Sequence, residues 1–262
     1  MEARLTHIGA ATLLLEVGGL RILTDPALDG AGAHYKATKA LPGFGSEKTA
    51  PPALAAEQVG PLDAVLLSHE HHFDNLDDSG RRLLPGAGKV LTTRAGARRL
   101  GDNAVGLRPG ESHRLEADDG ALEVTAMPAR HGPPGPVAWV AGPVIGFLLR
   151  WEGEERPWWI SGDTRWFGRL RSALAAAGPL GVAIVHLGGA RFRPTGRARY
   201  TMDAREAAAA IAELEVETVI PIHYEGWTHF KQGRTAAEDE FGQAGVAAKT
   251  HWLELGQPAT IR

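Results

Sequence analysis

The apolar run Ala64-Val65-Leu66-Leu67 passes through Ser68 straight into His69-Glu70-His71-His72-Phe73-Asp74-Asn75. No other stretch constrains the fold as much. A buried strand that ends in nitrogen and oxygen donors makes a rigid base for a metal site, because the strand fixes where the ligands point. A solvated His-rich turn is the bland reading. It suits a single His better than three His and an Asp within six residues.

The chain has no cysteine, which excludes disulfides and thiolate zinc sites. Any metal must rest on His, Asp, Glu or water, a ligand set suited to Zn, Mn, Fe, Ni or Co. With 262 residues, 44% of them apolar and 23% charged, the chain reads as a soluble globular protein that needs no covalent staples. The net charge of −3 gives no footprint for nucleic acid or an anionic membrane. No apolar run reaches membrane-spanning length, and the first residues lack a signal-peptide core. The expectation is a cytoplasmic protein with a small-molecule substrate; a homo-oligomer is compatible with it.

Patterning predicts strands over 13–17 and 20–24 around a Gly18-Gly19 turn, then over 64–68, 89–93, 112–116, 121–127, 144–151, 158–161, 182–187, 219–223 and 252–255. Helices are expected over 51–59, 76–84, 94–100, 165–177, 203–214 (capped by Asp203) and 235–244. Residues 26–50 show no period, as in a functional flap. Strands first, then strands alternating with helices, predict an α/β fold: a four-layer αββα sandwich of two mixed β-sheets flanked by helices. One domain over 1–262 is expected.

Donors follow predicted strands at three distant places: His131, Asp163 and His223. His186 lies within a fourth such strand. A lone His at a strand end is more often a hydrogen-bonded structural residue, and a lone Asp before Thr a helix cap. Their joint pattern with 69–74 argues otherwise, since loops at one end of a sheet can gather residues far apart in sequence.

That pattern resembles the metallo-β-lactamase-fold hydrolases, and within them the lactonase-like branch that includes ascorbate-6-phosphate lactonase. The resemblance covers nearly the whole chain. Thr6 to Thr12 with Thr24-Asp25-Pro26 looks like the family's opening hairpin and Asp-Pro turn. Ser68 to Asp77 looks like its His-x-His-x-Asp-His signature, and His131, Ser161-Gly162-Asp163-Thr164 and Pro221-Ile222-His223 follow in order. The resemblance implies one or two divalent ions, Zn2+ or Mn2+. His69, His71 or His72, and His131 would hold one. Asp74 and His223 would hold the other, and Asp163 would bridge them. Such pairs lower the pKa of a shared water to about 7.

Two registers of the signature compete. From the left, His69-Glu70-His71 is the His pair and one residue is inserted before Asp74. From the right, His72-Phe73-Asp74-Asn75 fits, and Glu70 falls where the first His belongs. Asn75 stands at the usual place of a metal-binding His, and Glu70 is a candidate substitute. A bulge that lets His69 and His72 face one ion, with His71 turned away, is the favoured arrangement.

Residues 190–200 carry four Arg, read either as a solvated loop or as an anion clamp with Arg191 and Arg193. Beside His223, Tyr224 and His229 could stabilise an oxyanion or protonate a leaving group, with Asp74 and Asp163 orienting the water. Trp227 reads as a substrate contact or as core, and Trp158 and Trp159 as sheet packing. The resulting function is a metal-dependent hydrolase of a small polar substrate. Its rivals are a catalytically weak metal-binding module, motivated by Asn75, and a nuclease-type phosphodiesterase, disfavoured by the net charge.

Overall fold

The computed structural model describes residues 2–36, 45–118, 120–133 and 141–262. The strands of its N-terminal part are β1 (Ala3–Gly9), β2 (Thr12–Val17), β3 (Leu20–Thr24), β4 (His34–Lys36), β5 (Gly45–Glu47), β6 (Ala64–Leu66), β7 (Lys89–Thr93) and β8 (Ala104–Leu107). Those that follow are β9 (Ser112–Ala117), β10 (Gly120–Pro128), β11 (Ile145–Trp151), β12 (Trp158–Ile160), β13 (Leu180–His186), β14 (Val216–Ile222) and β15 (Pro258–Ile261). One sheet has the order β15-β1-β2-β3-β6-β7-β8 and the other β14-β13-β12-β11-β10-β9; β4 and β5 form a separate ribbon. Both large sheets are mixed. Pairs among β3, β6, β7 and β8 and among β12, β13 and β14 are parallel, and β1–β2, β2–β3 and β9 to β12 pair antiparallel.

Alternation along the strands builds the layers. Leu13 and Leu15 join Phe147, Ile184 and Ile220 in the core between the sheets. Leu14, one residue out of phase, joins Val65 and Leu84 on the outer face of the first sheet. On the second sheet Trp158 faces the inter-sheet core while Trp159 packs outward. There it meets Leu170 and Leu174 of the helix Gly168–Ala177, Ile211 of Ala204–Glu213 and Phe241 of Arg234–Gln243. The result is the expected helix–sheet–sheet–helix sandwich.

Some elements depart from expectation. The closing strand is β15, not 252–255. There His251 N–H donates to Val219 O at 2.8 Å and Leu253 is buried, but the chain turns at Gly256, φ 73°. Burial of an apolar side chain needs no ladder, so the pattern alone misassigned it. The helix expected over 51–59 is confined to Ala56–Val59, because Pro51 and Pro52 lack N–H donors and disfavour helical neighbours. Part of the aperiodic 26–50 stretch forms β4 and β5, and 37–44 lie outside the described residues. β8 had no clear signal in the sequence.

The sheets meet where their loops do: Ile145 N–H donates to Ser68 O at 3.1 Å. The donor-bearing ends of β6, β10, β12 and β14 gather at this edge.

Candidate metal centre

Just past β6, His69 turns inward and the chain makes a turn at His72, whose carbonyl accepts from Leu76 N–H at 2.9 Å. His72 Nδ1 lies 3.0 Å from His69 Nε2 and 3.0 Å from His131 Nε2. The proton positions follow from the far sides of the rings. Ser68 Oγ donates to Asp25 Oδ1, so it accepts from His69 Nδ1, 2.9 Å away. His131 Nδ1 donates to Tyr200 O at 2.9 Å. Both Nε2 atoms therefore present lone pairs, and His72 Nδ1 has at most one proton to share between them. A cation satisfies all three nitrogens at once.

A second triad adjoins. The ligand atoms of Asp74, Asp163 and His223 lie within 4.8 Å of one another, as do those of His69, His72 and His131. Asp163 faces both groups: its Oδ1 is 3.5 Å from His223 Nδ1 and its Oδ2 4.0 Å from His131 Nε2. His223 Nε2 is 3.4 Å from Asp74 Oδ2. Both oxygens of Asp163 and both nitrogens of His223 are buried without a hydrogen bond. Orphaned polar atoms of this kind are costly unless something binds them, so the residues fit divalent ions.

The local electrostatics separate the triads. Burial, reinforced by neighbouring imidazoles, holds His69 and His72 well below the usual range. Burial likewise brings His131 down to about 4. All three are neutral at pH 7, the state in which an imidazole can accept a cation. Burial raises the Asp163 carboxyl to about 6, against the pull of His223. Burial would lower His223, but Asp163 and Asp74 outweigh it and raise the ring to about 9. Burial would raise Asp74, but His229 and His223 hold it well below the usual carboxylate range.

Other candidates are placed elsewhere. His71 Nε2 is 2.6 Å from Ala141 O, outside the triads. Glu70 is tied to Arg99 at 2.6 Å, not directed at the centre. Asn75 is fully buried, and its amide atoms make no hydrogen bond of ordinary geometry. His186 Nε2 faces Asp25 Oδ2 at 3.5 Å. Tyr224, expected beside the ligand as an acid, instead packs edge-on against Trp252 in the helix-side core. The left-handed conformation of His223 (φ 61°) redirects the chain there.

One wall is aromatic. Phe73 stacks on Tyr35 at 5.0 Å and lies 5.3 Å from Trp227, and Phe192 stacks on His229 at 5.1 Å. Arg191 N–H donates to His229 O at 3.1 Å, and its Nε is buried without a partner. Arg193 is exposed. Sequence reasoning missed Ser46, whose hydroxyl is 2.6 Å from His229 Nδ1. A serine in an aperiodic stretch carries no signal of such a contact.

Fold and site together define the class: an α/β sandwich with two adjoining His/Asp donor triads at one sheet edge. The Beta-lactamase superfamily domain matches residues 20–224, and the chain belongs to that superfamily. A UPF0173 metal-dependent hydrolase of Carboxydothermus hydrogenoformans is 27% identical over 257 residues, covering 94% of this chain and 95% of the relative. One of Pyrococcus abyssi is 25% identical over 257 residues, covering 97% of each. An isothiocyanate hydrolase from Delia radicum gut bacteria shares the fold with TM-score 0.81 at 20% identity, covering 98% of this chain and 99% of that one. A possible metal-dependent hydrolase from Veillonella parvula does so with TM-score 0.83 at 19%, covering 99% of each. The family and its named members class the chain as a metal-dependent hydrolase of the superfamily.

Proposed function

We propose that the chain hydrolyses a small, polar, anionic substrate (a lactone, ester, amide or phosphoester) at a centre for two divalent ions, Zn2+ or Mn2+. One observation carries this reading: two donor triads, buried but for a half-buried His72, adjoin through Asp163, whose carboxylate oxygens have no hydrogen-bond partner. His69, His72 and His131 would hold one ion, Asp74 and His223 the other, with Asp163 between them. Bound there, such ions supply Lewis acidity and lower the pKa of water to about 7.

The chain's own residues supply the rest. The neutral imidazoles need lose no proton to bind a cation. Asp163 is ionised at neutral pH and faces both triads, where it can orient an attacking water and accept its proton. Phe73 and Trp227, 5.3 Å apart and each about 6 Å from His229, would shield one side of the centre. The unpaired Nε of Arg191 offers a donor to the substrate's anionic group, whereas Arg193 is exposed and free to reach it only from the rim.

Metal content after dialysis, combined with assays on bis-(p-nitrophenyl) phosphate, a γ-lactone, p-nitrophenyl acetate and an isothiocyanate, tests the reading. Two equivalents of metal and turnover of at least one substrate are expected, with His131→Ala and Asp163→Ala each abolishing turnover. A protein that binds no divalent ion more tightly than millimolar sinks the proposal. Tight metal binding without turnover on any substrate favours the binding-module reading instead.

A further inference from the structure

Both ring nitrogens of His229 are engaged: Nε2 lies 2.9 Å from Asp74 Oδ2 and Nδ1 2.6 Å from Ser46 Oγ. The direction of the chain is set by Asp74, whose carboxylate oxygen only accepts, so His229 Nε2 carries the proton and a neutral ring accepts at Nδ1. Glu47 N–H donates to Thr228 Oγ1 at 3.0 Å. The Thr228 hydroxyl proton is available to Ser46 Oγ, 3.1 Å away. Ser46 can then give its own proton to His229 Nδ1. The imidazole is thereby held with its proton on Nε2, aimed at Asp74.

The arrangement is built, not incidental. Ser46, His229 and Asp74 are 6%, 3% and 6% exposed. The strand that carries Ser46 is pinned beside His229 by Thr49 N–H to Gly226 O at 2.9 Å and Thr228 N–H to Glu47 O at 3.1 Å. Phe192 fixes the ring plane, stacked within 12°. The same three residue types form nucleophilic triads in other hydrolases. Here the carboxylate belongs to a donor triad and the serine is buried, so the chain of bonds acts on Asp74.

We infer that Ser46 and His229 are positioning residues: a hydroxyl on β5 fixes the tautomer of His229, which holds Asp74 as an oriented anion for the second ion. Asp74 Oδ2 accepts that N–H and also faces His223 Nε2 at 3.4 Å, so the bond orients the carboxylate beside the second triad. This support comes from outside the 69–75 motif, in a chain whose position 75 offers an amide in place of an imidazole. The inference rests on the two-ion reading of the centre.

Binding of Zn2+ and Mn2+, measured by calorimetric titration and by metal content after dialysis, tests it on His229→Leu, His229→Gln and Ser46→Ala. His229→Leu is expected to weaken the second equivalent about 10–100-fold and spare the first. His229→Gln, which keeps an N–H for Asp74, should recover part of the loss. Long-range 15N–1H spectra of the imidazoles should show His229 as the Nε2–H tautomer in the wild type and as a mixture in Ser46→Ala. If His229→Leu does not fold, the Ser46→Ala titration and the tautomer decide. An unchanged second equivalent in the folded variants, or an Nδ1–H tautomer in the wild type, overturns the inference while the two-ion reading stands. A wild type that takes up a single equivalent overturns that reading and the inference with it.

Discussion

His71 and His72 are adjacent in sequence and do different things. The turn at His72 sends its Nδ1 toward His69 and His131, while His71 Nε2 is 2.6 Å from Ala141 O. A pair of single substitutions separates them. His72→Ala is expected to abolish binding of the first metal equivalent. His71→Ala should leave its affinity within about threefold, a change under about 1 kcal/mol. The reverse result, measured by titration on folded protein, would show that His71 is the ligand. Composition and spacing could not choose between these neighbours, because both lie within reach of one ion until the backbone turn is known.

At the scale of the element, Asp163 and His223 come from tight turns just beyond strands. Gly162 (φ 59°) precedes Asp163 after β12, and Asp25 (φ 33°) and His223 (φ 61°) are left-handed without being glycine. Such residues cost of order 1–3 kcal/mol each and persist where the surroundings hold them. His223 is held by its N–H donating to Ala10 O at 2.8 Å. A Cβ on Gly162 would meet Ile145 O at 2.6 Å and Ser68 Cβ at 3.1 Å. Gly162→Ala is therefore expected to cost about 1–3 kcal/mol, seen as a lower melting temperature, and to displace Asp163 enough to weaken metal uptake. Wild-type stability and metal content in that variant would contradict the role given to the turn. The strands that deliver these turns were legible in advance, since β6, β12, β13 and β14 are near-continuous apolar runs. The failure at 252–255 has the opposite cause: Leu253 is buried by contacts that its alternation pattern does not distinguish from a ladder.

Across the whole molecule, large apolar clusters between and outside the sheets hold the layers together. The fold is therefore expected to survive without metal. Chelated protein should keep its far-UV dichroism and still melt cooperatively. Each ion at 100 times its dissociation constant should add about 2.7 kcal/mol, raising the melting temperature by roughly 5–10 °C per ion. Loss of the cooperative transition on chelation would show that the ions are part of the core's stability. No helix among the described residues is long and apolar enough to cross a membrane.

The sequence by itself determined the layers and the identity of most donors. Apolar periodicity states which faces must be buried, and strand ends that carry His or Asp stand out against it. Tertiary structure alone decided which nitrogen of which His faces the centre, that Glu70 belongs to Arg99, that Tyr224 serves the core, and that Ser46 reaches His229 from 183 residues away. These are matters of backbone direction and proton placement. A one-residue turn reverses them without changing composition, spacing or period.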